Sequence, residues 1–185
     1  MEDPCRPLRQ LARNARLANA RLHRACERLQ PGEWEARRVS FFPSLKATLN
    51  HIFIVDRFYL DAAEGGKLGL AAWEDEEPFA TIAELAEAQA TLDRQAVALC
   101  EGLQPQDLAR EVQLIRKDRV QRERLDDVLM HLFLHDQHHR GQVHAMLSGT
   151  SVAPPQLDEF FMADEVRYRV GDLAAEGWDE ARLRQ

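Results

Sequence analysis

The chain has 185 residues, 45% hydrophobic and 30% charged, a globular composition of single-domain length. Its 24 Lys and Arg against 31 Asp and Glu give a net charge of −7, opposite to the basic excess that general phosphate binding requires. No apolar run approaches the ~18–20 residues of a membrane span, and the opening MEDPCRPLRQ lacks a signal core.

The first predicted helix runs from about Pro7 to Leu29. At ~100° per residue, Leu8, Leu11, Ala15, Ala18, Leu22, Ala25, Cys26 and Leu29 share one side. Arg6, Arg9, Arg13, Arg16, Arg21, Arg24 and Arg28 share the other. The pattern reads as a surface helix with a solvated arginine face, stopped by Pro31-Gly32.

A second helix is expected from Pro43-Ser44 to Glu64-Gly65-Gly66. One stripe holds Thr48, Ile54, Val55, Phe58 and Ala62; another holds Leu49, Phe53 and Leu60. Asn50, Arg57 and Asp61 form its wet edge. A helix apolar on two sides needs neighbours on both, or a subunit interface. Residues 65–80 read as a long loop, with Glu74-Asp75-Glu76-Glu77 as a solvated acidic run.

Thr81-Ile82-Ala83-Glu84 is a capping box opening a third helix to about Leu103. Partial alternation over Glu111–Arg124, around Lys117-Asp118, predicts a short β-hairpin. The fourth helix covers Arg122 to Leu147 and closes at Ser148-Gly149. After Pro154-Pro155 a short helix is expected over Leu157 to Ala163, then a weakly amphipathic tail. The expected fold class is all-α, a four-helix bundle over residues 1–163 with an extension at 164–185.

Five of the seven histidines fall between His131 and His144. Helical positions four apart differ by ~40° around the axis and ~6 Å along it, so two imidazoles there can converge on one ion. His135 and His139 sit mid-stripe with Val128, Leu132, Val143 and Met146. His131 and His138 lie towards the edge, and His144 faces elsewhere. His51, within the Ile54/Val55/Phe58 stripe, is the expected third donor, because a polar group there is costly to bury. Three imidazoles suit Zn²⁺ or Ni²⁺ and leave coordination positions open, as catalytic sites do. The competing reading makes each histidine a hydrogen-bonded core residue.

The string His135-Asp-Gln-His138-His139-Arg140-Gly141-Gln142-Val143-His144 resembles the fourth-helix signature of the DinB family, the DinB/YfiT-like metalloenzymes. Asn14-Ala-Arg-Leu-Ala-Asn19 and Ser40-Phe-Phe-Pro-Ser-Leu-Lys-Ala-Thr-Leu-Asn50-His51 resemble its earlier motifs, and Pro154-Pro155-Gln-Leu-Asp158 its closing segment. The likeness spans about residues 8 to 162. It implies an up-down-down-up bundle, commonly a homodimer, with a divalent ion on His51, His135 and His139. Asn14 and Leu17 stand where the family often carries aromatics.

Three functions follow as expectations. The family likeness implies a metal-dependent enzyme, chiefly a transferase using a low-molecular-weight thiol on small electrophiles. Gln142, one turn beyond His139 on the same side, is expected either to touch the cofactor, the substrate or a ligand, or to make a helix-packing hydrogen bond. A hydrolase is the neighbouring option, and a non-catalytic metal-binding stress-response module is the alternative. DNA binding rests only on the arginine face, a local balance of +4 in residues 1–30, and the chain-wide charge opposes it. Cys5, Cys26 and Cys100 show no disulfide or metal spacing, read as packing residues, and fit a cytoplasmic location. Trp34, Trp73 and Trp178, outside the long helices, are expected to cap the bundle or line a pocket.

Overall fold

The computed structural model describes residues 3–185. Four long helices form the frame: α1 (Arg6–Cys26), α2 (Leu45–Ala63), α3 (Ile82–Gly102) and α4 (Leu125–Leu147). Strands β1 (Glu111–Ile115) and β2 (Val120–Arg124) pair antiparallel before α4, with Glu111 opposite Arg124 and Ile115 opposite Val120. Helices α5 (Val166–Glu176) and α6 (Glu180–Arg184) complete the chain. Among the described residues no helix is long and apolar enough to cross a membrane.

Local chemistry fixes the helix starts. Ser44 Oγ accepts from the Ala47 amide at 3.0 Å and caps α2. The Thr81–Glu84 capping box forms in both directions, at 3.3 and 3.2 Å. Asp126 and Asp127 place negative charge in the first turn of α4, where the helix dipole favours it. Gly65, at φ 85°, turns the chain away from α2 in a conformation that side chains resist.

The hydrophobic clusters give the helix directions. Leu22 and Cys26 near the end of α1 pack with Leu45 and Leu49 opening α2, Leu85 opening α3 and Met146 closing α4. At the other pole, Leu8 and Ala12 pack with Phe58 and Ala62 of α2, Cys100 of α3 and Leu125 of α4. The order is therefore up-down-down-up. α1 packs on α3 and α4, and α2 packs on the same two, so α1 lies diagonal to α2. Each fully buried Leu or Phe contributes ~1.5–3 kcal/mol.

Several expectations change. The α-helical part of α1 ends at Cys26, not Leu29, because the next amides tighten onto carbonyls three residues back, Arg28 to Ala25 and Leu29 to Cys26. The end of α4 closes in the same way, through Gly149 to Met146 and Thr150 to Leu147. Residues 157–162 form no helix. Arg169 donates to the carbonyls of Glu159 and Met162, at 3.2 and 2.8 Å, while Phe160 is fully buried. Helical structure begins at Ala163 instead.

The arginine face of α1 is only partly solvated: Arg6, Arg24 and Arg28 are exposed, but the middle of the face is covered. Arg21 pairs with Asp172 at 2.7 Å and Glu159 at 3.0 Å, Arg24 pairs with Asp172, and Arg16 pairs with Glu176. Arg13, 2% exposed, pairs with Glu101 at 2.8 Å. Three of the seven arginines are thus neutralised by the C-terminal segment, which clasps α1, and Arg13 by α3. Asn50, expected on a wet edge, is fully buried for a different reason given below.

Cys5, Cys26 and Cys100 are buried free thiols. Burial pushes Cys26 and Cys100 up to about 12, which makes them poor nucleophiles.

Candidate metal centre

α2 and α4 are adjacent in the bundle, and their facing surfaces bring His51 to His135 and His139. One donor nitrogen from each lies within 4.8 Å of the other two. The Nε2 atoms of His51 and His135 are 3.0 Å apart, and the three ring centroids stand 4.4 to 5.0 Å from one another. Imidazole nitrogens sharing a tetrahedral Zn²⁺ at about 2.0–2.1 Å sit roughly 3.3 Å apart. Small side-chain shifts therefore let this group hold one ion.

Burial keeps His51 and His139 neutral, which suits that use, since only neutral imidazoles bind metal. Burial, then the neighbouring His135 and His139, pushes His51 down to about 4. Burial also lowers His139. Gln142 fixes the tautomer of His139: its Oε1 accepts from Nδ1 at 2.9 Å, which leaves Nε2 with a free lone pair. The Gln142 amide nitrogen donates in turn to His138 Nε2 at 3.0 Å. Phe42 covers one side, 4.3 Å from the His51 ring and 5.5 Å from that of His139.

The other histidines stand apart. His131 lies 6.4 Å from His135 and packs on Tyr59, outside the convergent group. His144 Nε2 donates to the Pro155 carbonyl at 3.0 Å and anchors the chain after α4. His23, buried in α1, is pushed down to about 3 by burial and by the charges of Arg16, Arg140 and Arg24. It is a neutral core residue.

Behind the histidines runs a buried polar network that crosses all four helices. Asp56 of α2 accepts from Gln89 Nε2 at 2.6 Å, and Gln89 also donates to Asp93 at 2.9 Å. Asn19 of α1 donates to Asp93 at 3.0 Å and accepts from Arg140 at 3.3 Å. Arg140 lies 3.6 Å from Asp136, the residue next to His135. Burial and the Asp136 carboxylate beside it raise Asp56 well above the usual carboxyl range, which favours a protonated Asp56 able to donate to Asp136. Sequence reading gave Asp56, Gln89, Asp93, Asp136 and Arg140 no role. The available signals were the four-residue spacings Gln89/Asp93 and Asp136/Arg140 and an acid set between apolar stripes on α2.

A cleft of about 430 Å³ opens beside His51, walled by Phe42, Ile54 and Trp73. Two larger hollows near Arg9 and Glu101 lie at the opposite pole and contain no histidine. Trp73 lines the cleft by the site; Trp34 is buried, with its Nε1 donating to the Ala80 carbonyl at 3.1 Å, and Trp178 is buried in the core.

The DinB family model matches residues 1–169. The fold is similar to that of a DinB-like protein from Bacillus subtilis, with a TM-score of 0.53 at 15% identity, covering 76% of this chain and 91% of that one. Among curated proteins none matches.

Proposed function

We propose that this chain, which belongs to the DinB family, holds one divalent metal ion on His51, His135 and His139 and acts as a metal-dependent enzyme. The observation that carries the reading is the convergence of three imidazoles from two helices to within 4.8 Å. Zn²⁺ or Ni²⁺, which imidazole donors suit, would supply Lewis acidity there and lower the pKa of a bound thiol or water.

The chain's own residues prepare the centre. Gln142, with its carbonyl on His139 and its amide on His138, orients the imidazole, one of the roles expected of it beside contact with a cofactor or substrate. Phe42 excludes water from one side of His51. The buried network from Asp56 through Gln89, Asp93 and Asn19 to Arg140 ties α2 to α4, the helices that carry the three histidines. The cleft beside His51 gives a small molecule access, and that openness favours an enzyme over a closed, purely structural metal module.

The reaction class is transfer of a low-molecular-weight thiol onto a small electrophile. A carbon–sulfur bond forms, the leaving group departs with its electron pair, and the thiol proton passes to solvent. Residues 1–163 form the working bundle and 164–185 a clasp on α1. Exposed Val39, Phe41, Met130 and Leu134 supply apolar surface for the homodimer that the family likeness implies. DNA binding loses its main support, because Arg16, Arg21 and Arg24 are already paired with Glu176 and Asp172.

The test is conjugation of a panel of small thiols to 1-chloro-2,4-dinitrobenzene, with and without added Zn²⁺ or Ni²⁺. Metal-dependent chloride release that His135→Ala abolishes is the expected result. Release at the uncatalysed rate with every thiol, on metal-loaded protein, overturns the transferase reading.

A further inference from the structure

The cleft beside His51 has a chemical character of its own. Phe42, Ile54 and Trp73 make its walls apolar and partly aromatic, and Glu76 and Glu77 stand among its lining residues. Among the described residues, no lysine or arginine lines it. Glu77 is paired with Lys46 at 3.0 Å, whereas Glu76 has no cationic partner among the described residues. At the Glu76 end of the cleft an anionic ligand would meet uncompensated negative charge and a cation its complement, while a metal ion on His51 would place its positive charge at the other end.

The acidic run is held in place and does not sweep freely through solvent. Upstream, the 3₁₀ turn Gly69–Trp73 docks on α2 through Trp73, whose ring lies 5.0 Å from that of Phe58. Downstream, Asn50, fully buried and adjacent to His51, grips Phe79 at both backbone groups, at 2.9 and 3.2 Å. Trp34 holds the next residue, donating to the Ala80 carbonyl at 3.1 Å. This clamp is why Asn50 is buried despite its polarity. It fixes Glu76 and Glu77 against the same cleft that His51 lines.

We infer that this cleft takes an organic cation, an apolar or aromatic body between Phe42 and Trp73 with a positively charged nitrogen towards Glu76 and Glu77. As an assignment of substrate class, the inference rests on the proposed metal centre. As an assignment of binding, it rests on the cleft alone. Aromatic faces add to the attraction, since their π-clouds favour cations.

Three probes of one shape separate charge from size: phenethylamine, 2-phenylethanol and 3-phenylpropionate. Their affinities are measured by titration calorimetry on the full chain, with and without added Zn²⁺, and zinc content is recorded alongside. The amine is expected to bind roughly tenfold tighter than the alcohol, with the carboxylate weakest, and added salt should narrow the gap. The Glu76→Gln/Glu77→Gln double variant should bring the amine down to the alcohol while leaving the alcohol unchanged. Equal binding of all three, binding of none, or an amine preference that survives the double variant overturns the inference. Should the protein take up no zinc yet keep the order, the metal centre fails and the cleft assignment stands.

Discussion

Gln142 Oε1 lies 2.9 Å from His139 Nδ1, so one amide decides which nitrogen of His139 faces its two partner imidazoles. The bond spans three residues on α4, the spacing at which helical side chains meet. Gln142→Leu should therefore keep the fold and lower metal affinity about 10–100-fold, the usual cost of losing such a partner. Gln142→Glu keeps an acceptor for His139 and should restore most of the loss. Chelator competition reads both, and unchanged affinity in Gln142→Leu would remove the orienting role.

Asp56 accepts from Gln89 at 2.6 Å, and burial beside the Asp136 carboxylate raises it well above the usual range, so the protonated acid is expected to donate to Asp136. Asparagine can make the same two bonds, with its carbonyl to Gln89 and its amide to Asp136. Asp56→Asn should cost less than ~1 kcal/mol, whereas Asp56→Leu strands buried polar partners and should cost ~2–4 kcal/mol. Urea unfolding compares them. Equal damage from the two variants would mean that Asp56 does not hold its proton.

His23 and Asp93 give opposite pH dependences. His23 titrates at about 3 when folded, against 6.5 ordinarily, so between these values the unfolded chain binds more protons and acid destabilises. Asp93 is raised to about 6 by burial, so between about 4 and 6 it does the reverse. Replacing His23 isolates its share. The stability difference between wild type and His23→Leu should move by ~1.4 kcal/mol per pH unit from pH 6.5 to 4, towards the variant as pH falls. A flat difference would mean that His23 charges freely in the folded state.

Asp172 is shared by Arg21 and Arg24, and Glu176 is held by Arg16, all across the contact between α5 and α1. Asp172→Asn/Glu176→Gln should loosen the clasp. Faster amide exchange across residues 166–185, with little change in α2 and α4, is the expected hydrogen-exchange pattern. Unaltered exchange would show that Leu173 and Trp178, not the ion pairs, hold the segment.

Much of the frame was legible because it depends on short-range rules. The Thr81–Glu84 box, the 111–124 hairpin and the inward placing of His135 and His139 follow from spacing alone. The covering of Arg16 and Arg21 has no local signature, because their partners, Glu176 and Asp172, lie about 150 residues away and no local pattern shows that a polar tail folds back on them. Asn50 misled for the same reason: its partner is the backbone of Phe79, which has no sequence signature. The expected helix over 157–163 failed because Arg169 satisfies the carbonyls that a helix would have used.

The most direct test of the central claim is metal content per chain of gently purified protein, beside His51→Ala, His135→Ala and His139→Ala. The account predicts close to one divalent ion per wild-type chain and its loss in each variant. A metal-free wild type that also fails to take up added Zn²⁺ or Ni²⁺, or an ion that persists in all three variants, would contradict it.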